Sequence, residues 1–202
     1  MYDENEMPRP SNPEIRHRLL SDGGHVIHRL GFNGAGVQDI VAAANVPKGS
    51  FYSYFESKET FAAEVVQAYW DSIELRHGKV MYDARIKPLA RIERLFELLV
   101  EDHAAQRFQL GCLVGNLSLE LSNASTEVRE ALAGILARWE GMIAACLDEA
   151  MIRQELDGSR DSKQLAAIIV EAWEGAVLRS KVEGNGDACH RFLQATLKRL
   201  LN

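Results

Sequence analysis

Apolar residues recur at helical spacing along most of the chain, and the long run from Leu89 to Asn202 contains no proline. Because proline breaks helix interiors, such a run favours an all-α fold. The pattern predicts helices over about 13–30, 58–77, 88–105, 125–151, 162–183 and 187–201. Two shorter helices are predicted within 37–55, and another starts at about residue 112.

The segment from Val37 to Glu59 has the sequence VQDIVAAANVPKGSFYSYFESKE. It predicts a short helix, a tight turn and a second short helix before a longer one begins. Asn45 suits a left-handed cap after the first helix, and Pro47 suits the first turn of the next. Phe51 and Phe55 can face the core, while a lysine, small residues and hydroxyls face outward. Such a face fits a major groove because it offers phosphate ligands without bulk.

This segment resembles the helix-turn-helix signature of TetR/AcrR-type transcriptional regulators over roughly residues 13–61. The residues that carry the resemblance are Gly31, Phe32, Ile40, Ala43, Val46, Gly49, Ser50, Phe51, Tyr52, Phe55, Ser57, Lys58 and Glu59. Tyr54 stands where the family pattern usually has histidine. We expect the DNA-contacting residues to be Gln38, Lys48, Gly49, Ser50, Tyr52, Tyr54 and Lys58. The expected partner is double-stranded operator DNA.

The net charge of −6 does not exclude this function. From Arg9 to Lys58, six arginines and lysines stand against four acidic residues, which gives +2. DNA affinity follows the charge near the phosphates rather than the total charge. The acidic start of the chain lacks the apolar core of a signal peptide, and no segment has the ~20 apolar residues of a membrane span. These features predict a cytoplasmic protein without a membrane partner.

A second pair of motifs lies in the remaining chain, RFQLGCLVGNLSLEL at 107–121 and AWEGAVLRSKVE at 172–183. They resemble a subgroup of the same family, the AcuR- and NemR-type regulators, which respond to acrylate and to electrophiles. In the NemR-like members the matching cysteine is the oxidant and electrophile target and the matching lysine supports it, which implies Cys112 and Lys181 here. Cys112 also follows Gly111 where a helix begins, so the helix dipole and a nearby lysine would favour its thiolate.

The predicted sensor pocket consists of Cys112, Asn116, Trp139, Trp173 and Lys181. Its inducer would be a small electrophile, an acrylate-like unsaturated acid or an oxidant. Alternatively, Cys112 only lines a pocket that binds a reversible ligand. The chain lacks metal-ligand spacing, and its three cysteines form no CxxC pair, so neither a metal nor a cofactor is expected. A thiol-dependent helical enzyme is a remote alternative, since only His103 lies near Cys112 in sequence. An activator rather than a repressor also stays open.

The last two helices carry more apolar surface than one subunit is expected to cover, which predicts a homodimer. The expected interface residues are Leu165, Ile169, Phe192, Leu193, Thr196, Leu197 and Leu200. The sequence thus predicts three regions, namely a flexible tail at 1–12, a helix-turn-helix DNA-binding domain at 13–58 and a helical sensor and dimerisation domain at 59–202. The predicted function is that of a dimeric, one-component repressor and not of an enzyme.

Overall fold

The computed structural model describes residues 12–202, and every regular element in that range is a helix. The all-α prediction is therefore confirmed. The elements are α1 (Pro13–Arg18, a π turn Leu19–Gly23, and Gly24–Leu30), α2 (Val37–Ala43), a 3₁₀ helix (Lys48–Ser53), α3 (Lys58–His77), a 3₁₀ helix (Gly78–Tyr82), α4 (Pro88–Ala105), α5 (Leu113–Leu121), α6 (Thr126–Ile152), α7 (Ser162–Glu183) and α8 (Asp187–Arg191, a π turn Phe192–Leu197, and Lys198–Leu201). The predicted tail, apart from Asn12, lies outside the described residues.

The chain divides into two compact units, with the boundary between Val65 and Val66. The predicted boundary was earlier, at residue 58. The first turns of α3 belong to the first unit because Phe61 packs there. Its ring lies 5.3 Å from that of Phe51 and 4.8 Å from that of Phe55, measured between ring centroids. These three buried rings form the centre of the first unit.

Two features position α2 in the first unit, namely a close approach between α1 and α2 and a left-handed cap at the end of α2. A Cβ atom on Gly23 would lie 2.6 Å from Ile40 Cγ2, so α1 can pack against α2 only with glycine there. Asn45 has a φ of 52°, which confirms the predicted cap. The N–H of Val46 then donates to Val41 O at 3.0 Å. The second short helix that the pattern predicted after Pro47 is a 3₁₀ helix.

Side-chain caps fix the helix starts in the second unit. Ser125 Oγ accepts a hydrogen bond from the N–H of Val128 at 3.3 Å. Asp161 Oδ1 accepts from the N–H groups of Lys163 and Gln164 at 3.0 and 3.1 Å. Each bond satisfies a donor that the first helical turn leaves without a partner. The predicted starts of α6 and α7 are thereby confirmed.

An aromatic cluster fills the core of the second unit. It consists of Trp70, Phe96, Trp139, Trp173 and Phe192, all at most 2% exposed. Ring centroids lie 4.9 Å apart for Trp70 and Trp139, and 5.2 Å apart for Phe96 and Trp173. Aromatic side chains of this size dominate the energetics of a core. The cluster joins α3, α4, α6, α7 and α8 into one body.

Four residues of the predicted dimer interface are buried in the core of the second unit instead. Leu165, Ile169, Phe192 and Leu197 are at most 4% exposed within a single chain. A side chain that its own subunit already buries has no surface left to cover with a second subunit. The prediction is wrong for these four residues, because their apolar face packs inward. Leu193 and Leu200 are half-buried and Thr196 is exposed, and their role in an interface stays a prediction.

Candidate functional site

The first unit presents several of the predicted DNA-contacting residues at its surface. Gln38 on α2 and Gly49 on the 3₁₀ helix are exposed, and Ser50 is half-buried. Lys48 is the first residue of the 3₁₀ helix. Tyr52 is 66% exposed, and its ring packs edge-on against the buried Phe51 with centroids 5.3 Å apart. The phenol hydroxyl is thus held outward on a rigid aromatic base.

Tyr54 and Lys58 make bonds within the first unit. The hydroxyl of Tyr54 accepts a hydrogen bond from the N–H of Asn12 at 3.1 Å, at the start of α1. The ammonium of Lys58 donates to the carbonyl of Phe32 and lies 4.1 Å from the centroid of its ring. Both side chains therefore have structural roles. Their contact with DNA stays a prediction, and Lys58 would have to exchange its carbonyl partner for a phosphate.

Gly49 is not explained by packing inside the chain. No described atom lies within 4 Å of the position that a Cβ atom would occupy at this residue. Its φ also lies outside the left-handed range that favours glycine. A glycine with open space above it lets another molecule approach the backbone closely. The backbone at Gly49 is therefore open to close approach by another molecule, a property that it shares with Gly134, Gly141, Gly158 and Gly175.

The second unit contains a pocket of about 200 Å³ that is open to solvent, between the start of α5 and the middle of α7. We call it the Cys112 pocket. It is lined by Gly111, Cys112, Gly115, Asn116, Leu119, Glu174, Gly175, Val177, Leu178 and Lys181. The structure thus brings together three predicted sensor residues that are far apart in sequence, namely Cys112, Asn116 and Lys181.

Cys112 is the N-cap residue of α5, as its position after Gly111 predicted. Gly111 has a φ of 71°, and this left-handed turn leads the chain into the helix. The N–H groups of Val114 and Gly115 hydrogen-bond the sulfur and lower the pKa of the thiol. The predicted helix-terminus effect is therefore present. It lowers the pKa of the thiol by less than burial raises it.

The predicted thiolate character of Cys112 is wrong. Burial raises the pKa of its thiol well above the ordinary value, and the charge of Glu174 raises it further. The side chain is only 6% exposed, and a buried site disfavours the charged form. Cys112 is thus a neutral thiol whose partner is an acid. The sequence prediction considered the dipole and the lysine, but it did not include this carboxyl group.

Lys181 contacts a different part of the pocket from the one predicted. Its ammonium donates to Asn116 Oδ1 at 3.2 Å, and Asn116 Nδ2 donates to Leu110 O at 2.9 Å. A Cβ atom at Gly111 would lie 3.0 Å from Lys181 Cδ, so glycine gives this side chain room. The amide oxygen is a neutral acceptor and leaves the charge of the lysine uncompensated. This end of the pocket therefore suits an anion.

Glu174 provides the acidic group of the pocket. Burial raises the pKa of its carboxyl to about 7, and a hydrogen bond with Cys112 opposes that rise. Its Oε1 atom is buried without a hydrogen-bond partner among residues 12–202. A Cβ atom at Gly115 would lie 2.5 Å from Glu174 Oε2, so the carboxyl rests directly on the first turn of α5.

Tyr69 on α3 completes this group. Burial raises the pKa of its phenol well above the ordinary value, and Cys112 and Glu174 raise it further. The phenol hydrogen-bonds the Cys112 thiol and the backbone of Leu113. Side chains from α3, α5 and α7 therefore meet at one thiol. We call Tyr69, Cys112 and Glu174 the thiol cluster.

Trp139 and Trp173 do not line the Cys112 pocket, which corrects their predicted role. Both belong to the aromatic core, and Trp139 borders a separate small void between α3, α4 and α6. Trp173, Val177 and Lys181 do share one side of α7, but only the last two reach the pocket. Trp173 lies deeper and packs on Phe96.

Sequence reasoning missed Glu174 and Tyr69. A usable signal was the pair Gly111 and Gly115, four residues apart around Cys112. Each glycine makes room for one polar side chain of α7, Lys181 in the first case and Glu174 in the second. Glycines on one side of a helix start indicate a close neighbour, and the charged residues of AWEGAVLRSK were the available neighbours.

The other two cysteines have structural surroundings. The Cys146 thiol donates to Pro88 O at 3.1 Å, and burial raises its pKa to about 11. Cys189 is fully buried, and Ser180 Oγ donates to its sulfur at 3.2 Å. Neither residue lines the Cys112 pocket. Of the three cysteines, Cys112 is therefore the candidate for ligand chemistry.

Comparison with known proteins covers both units. The model of bacterial regulatory proteins of the tetR family matches residues 19–65, and the model of the tetracyclin repressor-like C-terminal domain matches residues 88–196. Among curated proteins, the HTH-type transcriptional repressor DhaR of Mycobacterium sp. (strain GP1) is 35% identical, with 93% of this chain and 92% of that protein covered. The transcriptional regulator AcuR of Cereibacter sphaeroides is 39% identical, with 93% and 89% covered.

Two solved structures resemble this chain over nearly its whole length. The crystal structure of regulatory protein TetR from Rhodobacter sphaeroides is 34% identical and has a TM-score of 0.85, covering 92% of this chain and 98% of that one. The reduced form of Escherichia coli NemR is 26% identical and has a TM-score of 0.80, covering 92% and 96%. The similarity therefore extends over most of both units.

Proposed function

Because the chain belongs to the TetR family of bacterial regulatory proteins, we propose that it is a repressor released from operator DNA by a small unsaturated acid or related electrophile at the Cys112 pocket. It is a transcriptional repressor and not an enzyme. The resemblance that its motifs indicated, to the family and to the AcuR- and NemR-type subgroup, is confirmed. No helix within residues 12–202 is long and apolar enough to cross a membrane.

We propose that the first unit binds DNA through α2 and the 3₁₀ helix. Gln38 and Tyr52 are exposed there, and Gly49 leaves open space above the backbone. Exposed hydroxyls and backbone N–H groups are common ligands of phosphate oxygens. Lys48 and Ser50 belong to the same surface by position. Tyr54 and Lys58 would then act mainly by holding this surface in shape, since both are bonded within the first unit.

The observation that carries the inducer proposal is the pairing of Lys181 and Cys112 in one pocket. A short unsaturated acid has an anionic carboxylate and an electrophilic carbon a few atoms apart. The ammonium of Lys181, bonded only to the neutral Asn116 oxygen among its described partners, can bind the carboxylate. The remaining wall includes Val177 and Leu178, which suit the hydrocarbon part.

The thiol cluster supports a route from the pocket to DNA binding. Tyr69, which hydrogen-bonds Cys112, lies on α3, and α3 runs from Lys58 to His77. Its first turns belong to the DNA-binding unit. A ligand that displaces Tyr69 would therefore act on a helix that both units share. We propose that this biases the protein toward a state that no longer fits its operator.

The raised pKa of Cys112 limits every covalent reaction of this residue. Oxidants and electrophilic alkenes both react with thiolates, and a buried thiol with a raised pKa carries little thiolate. A covalent inducer of either kind therefore needs a neighbouring group that takes the proton of the thiol. The same observation supports a second candidate, in which a small carboxylic acid binds Lys181 and Asn116 reversibly and Cys112 only lines the pocket.

The experiment measures release of an operator duplex that the protein has selected from random sequence. We expect Cys112→Ser to bind this duplex normally and to resist release by N-ethylmaleimide and acrylate, since a serine hydroxyl is a far weaker nucleophile than a cysteine thiol. Lys181→Met should lose a charge-assisted bond worth about 1.5–3 kcal/mol to acrylate, which raises the required concentration roughly 10- to 100-fold. It should still respond to uncharged ethyl acrylate.

Tyr52→Phe provides the matched control, because it alters the DNA-facing surface and leaves the pocket intact. It should weaken operator binding but keep the same response to acrylate. Full release of Cys112→Ser by acrylate, together with loss of response in Lys181→Met, would replace the covalent mechanism with the reversible one. Normal response in both variants would place the inducer elsewhere.

Members of this family typically act as dimers, and we propose that the outer face of α7 forms the interface here. Ile168, Leu178 and Val182 are 40%, 52% and 78% exposed, and they lie opposite the buried side of the helix with Gly175 between them. With Gly175 they follow one another at seven, three and four residues and so lie along one side of the helix, with Glu171 between Ile168 and Gly175 and with Leu178 at the rim of the Cys112 pocket. A second copy of the same face is self-complementary about a two-fold axis.

Replacing Ile168 and Val182 together with glutamate tests this interface. Each is exposed in the single chain, so folding should be unaffected, whereas two charges in an apolar seam would cost on the order of several kcal/mol. Sedimentation should show monomers with retained helical content and weakened operator binding. Ile152→Glu is the control, because Ile152 is 82% exposed on α6. A stable dimer in the double variant would exclude this face.

A further inference from the structure

Glu174 has no structural explanation in its surroundings. Its carboxyl group lies beside Tyr69 and Cys112, and its Oε1 atom is buried without a partner among the described residues. Burying an unpaired polar atom costs free energy, so a purely structural role would favour an apolar residue or a closed hydrogen-bond network. The nearest reactive group is the Cys112 thiol, which hydrogen-bonds this carboxyl.

The position of the carboxyl is fixed from two sides. Gly115 leaves room for Glu174 Oε2, since a Cβ atom there would lie only 2.5 Å from this oxygen. Glu174 also lies one turn before Val177 and Leu178, so that its helix carries the carboxyl into the lining of the pocket. A ligand that enters the pocket would therefore meet the thiol and the carboxyl together.

We propose that Glu174 is the proton acceptor that lets the neutral Cys112 thiol add to an electrophilic alkene. This inference rests on the proposed covalent function of the pocket. The S–H bond breaks as the sulfur forms a bond to the β-carbon, and the proton passes to the Glu174 carboxylate. The π electrons move to the carbonyl as an enolate. The enolate then takes a proton at its α-carbon from Glu174, which restores the carboxylate and leaves a thioether.

This step needs no oxidant, reductant or leaving group, because the thiol adds across the double bond as a whole. It also explains how a thiol with a raised pKa can react at neutral pH. A general base must have its pKa near the working pH to be both unprotonated and basic, and the pKa of Glu174 is about 7. The other titratable groups at the site are Tyr69, whose raised pKa keeps it protonated, and Lys181.

The test follows the rate at which N-ethylmaleimide modifies Cys112, measured by intact-mass and peptide mass spectrometry. N-ethylmaleimide is uncharged, so the measurement does not depend on Lys181. We expect Glu174→Gln, which keeps the shape but cannot accept a proton, to slow modification about tenfold or more. The wild-type rate should rise with pH through about 7 and then level off. The variant should lack this step and rise only as the thiol itself ionises.

An electrostatic role makes the opposite prediction. The charge of Glu174 raises the pKa of Cys112, so removing that charge alone would increase the thiolate fraction and speed the reaction. Modification of Glu174→Gln at the wild-type rate or faster would therefore overturn the proposal. Glu171→Gln is the matched control, since Glu171 is exposed on the same helix. It should react like the wild type.

Gly115→Ala supplies an independent variant that keeps the carboxyl but displaces it. Its Cβ atom would collide with Glu174 Oε2, so Cys112 should again react more slowly. If Cys112 of the wild type is not modified, the covalent function fails and this inference fails with it. If the wild type is modified and Cys112→Ser is not, but both new variants react normally, only the role of Glu174 is excluded.

Discussion

The second unit contains two sites built around a glutamate, one paired with a buried arginine and one next to a buried thiol, and they differ in how completely their hydrogen bonds are satisfied. At the first site, the guanidinium of Arg91 donates to Glu149 Oε2 at 2.7 Å and to the carbonyl of Ile86 at 2.8 Å. At the second site, Glu174 has a neutral thiol as its partner and one oxygen without any described partner. The first site joins α4 to α6, and the second lines a pocket.

The two carboxyl groups respond in opposite ways. The hydrogen bond from Arg91 lowers the pKa of Glu149. Burial raises the pKa of Glu174 to about 7. A closed ion pair holds its charges and stabilises the fold, whereas a buried acid without a cation is poised to exchange a proton. Incomplete hydrogen bonding of the carboxyl group therefore distinguishes the proposed reactive site at Glu174 from the structural ion pair at Glu149.

The largest effect on stability should come from the closed site. Arg91 is 3% exposed and also donates to Met81 O at 3.5 Å, so Arg91→Met leaves a buried and a half-buried carbonyl group without their donor. We expect the free energy of unfolding to fall by about 2–4 kcal/mol. Tryptophan fluorescence during urea unfolding can measure this, because all three tryptophans lie in the second unit.

Arg85→Met is the control for this change. Arg85 is 89% exposed at its side chain and pairs with Asp83 on the surface, where solvent screens the interaction. It should leave the unfolding curve almost unchanged. Equal losses in the two variants would show that the Arg91 site contributes no more than a surface pair, and the contrast with Glu174 would disappear.

The fold was largely predictable because its signals are local. Helix starts followed from caps such as Ser125 and Asp161, whose side chains do accept the first N–H groups. Asn45 and Gly184 mark left-handed helix ends, as their residue types indicate. Each of these signals depends on a few neighbouring residues and hardly on the rest of the chain.

The sites were less predictable because they depend on which side of a helix faces the core. The stripe of α8 was identified correctly as apolar, but Phe192 and Leu197 pack inside the subunit and not against a second one. Sequence alone does not show how much apolar surface one subunit covers. The predicted direction of the Cys112 pKa shift was wrong for a related reason. Glu174, which raises this pKa, lies 62 positions further along the chain, from 112 to 174, and the sequence does not show that the two residues meet.

The pH dependence of stability sharpens the comparison further. The carboxyl of Glu174 has a pKa of about 7 in the folded protein against an ordinary value of 4.5, so the folded state binds this proton more tightly than the unfolded state. Its contribution to stability is therefore fully present below about pH 4.5 and is lost as the pH rises through 7. Glu149 has a lowered pKa and works in the other direction, since its stabilisation is lost as the pH falls.

Glu174→Gln removes the pH dependence of stability that comes from Glu174. Relative to the wild type, the variant should gain about 2–3 kcal/mol in the free energy of unfolding as the pH rises from 5 to 8. The folded and ordinary pKa of Glu174 differ by about 2.5, each pKa unit corresponds to about 1.36 kcal/mol, and most of that difference is lost within this range. Urea unfolding at several pH values measures the gain, and Glu149→Gln should show almost no pH-dependent difference in this range, because the lowered pKa of Glu149 confines its effect to pH values below about 4.5. A constant difference between Glu174→Gln and the wild type across this range would mean that the carboxyl titrates normally, and the pocket would then hold a carboxylate that is already ionised at pH 5.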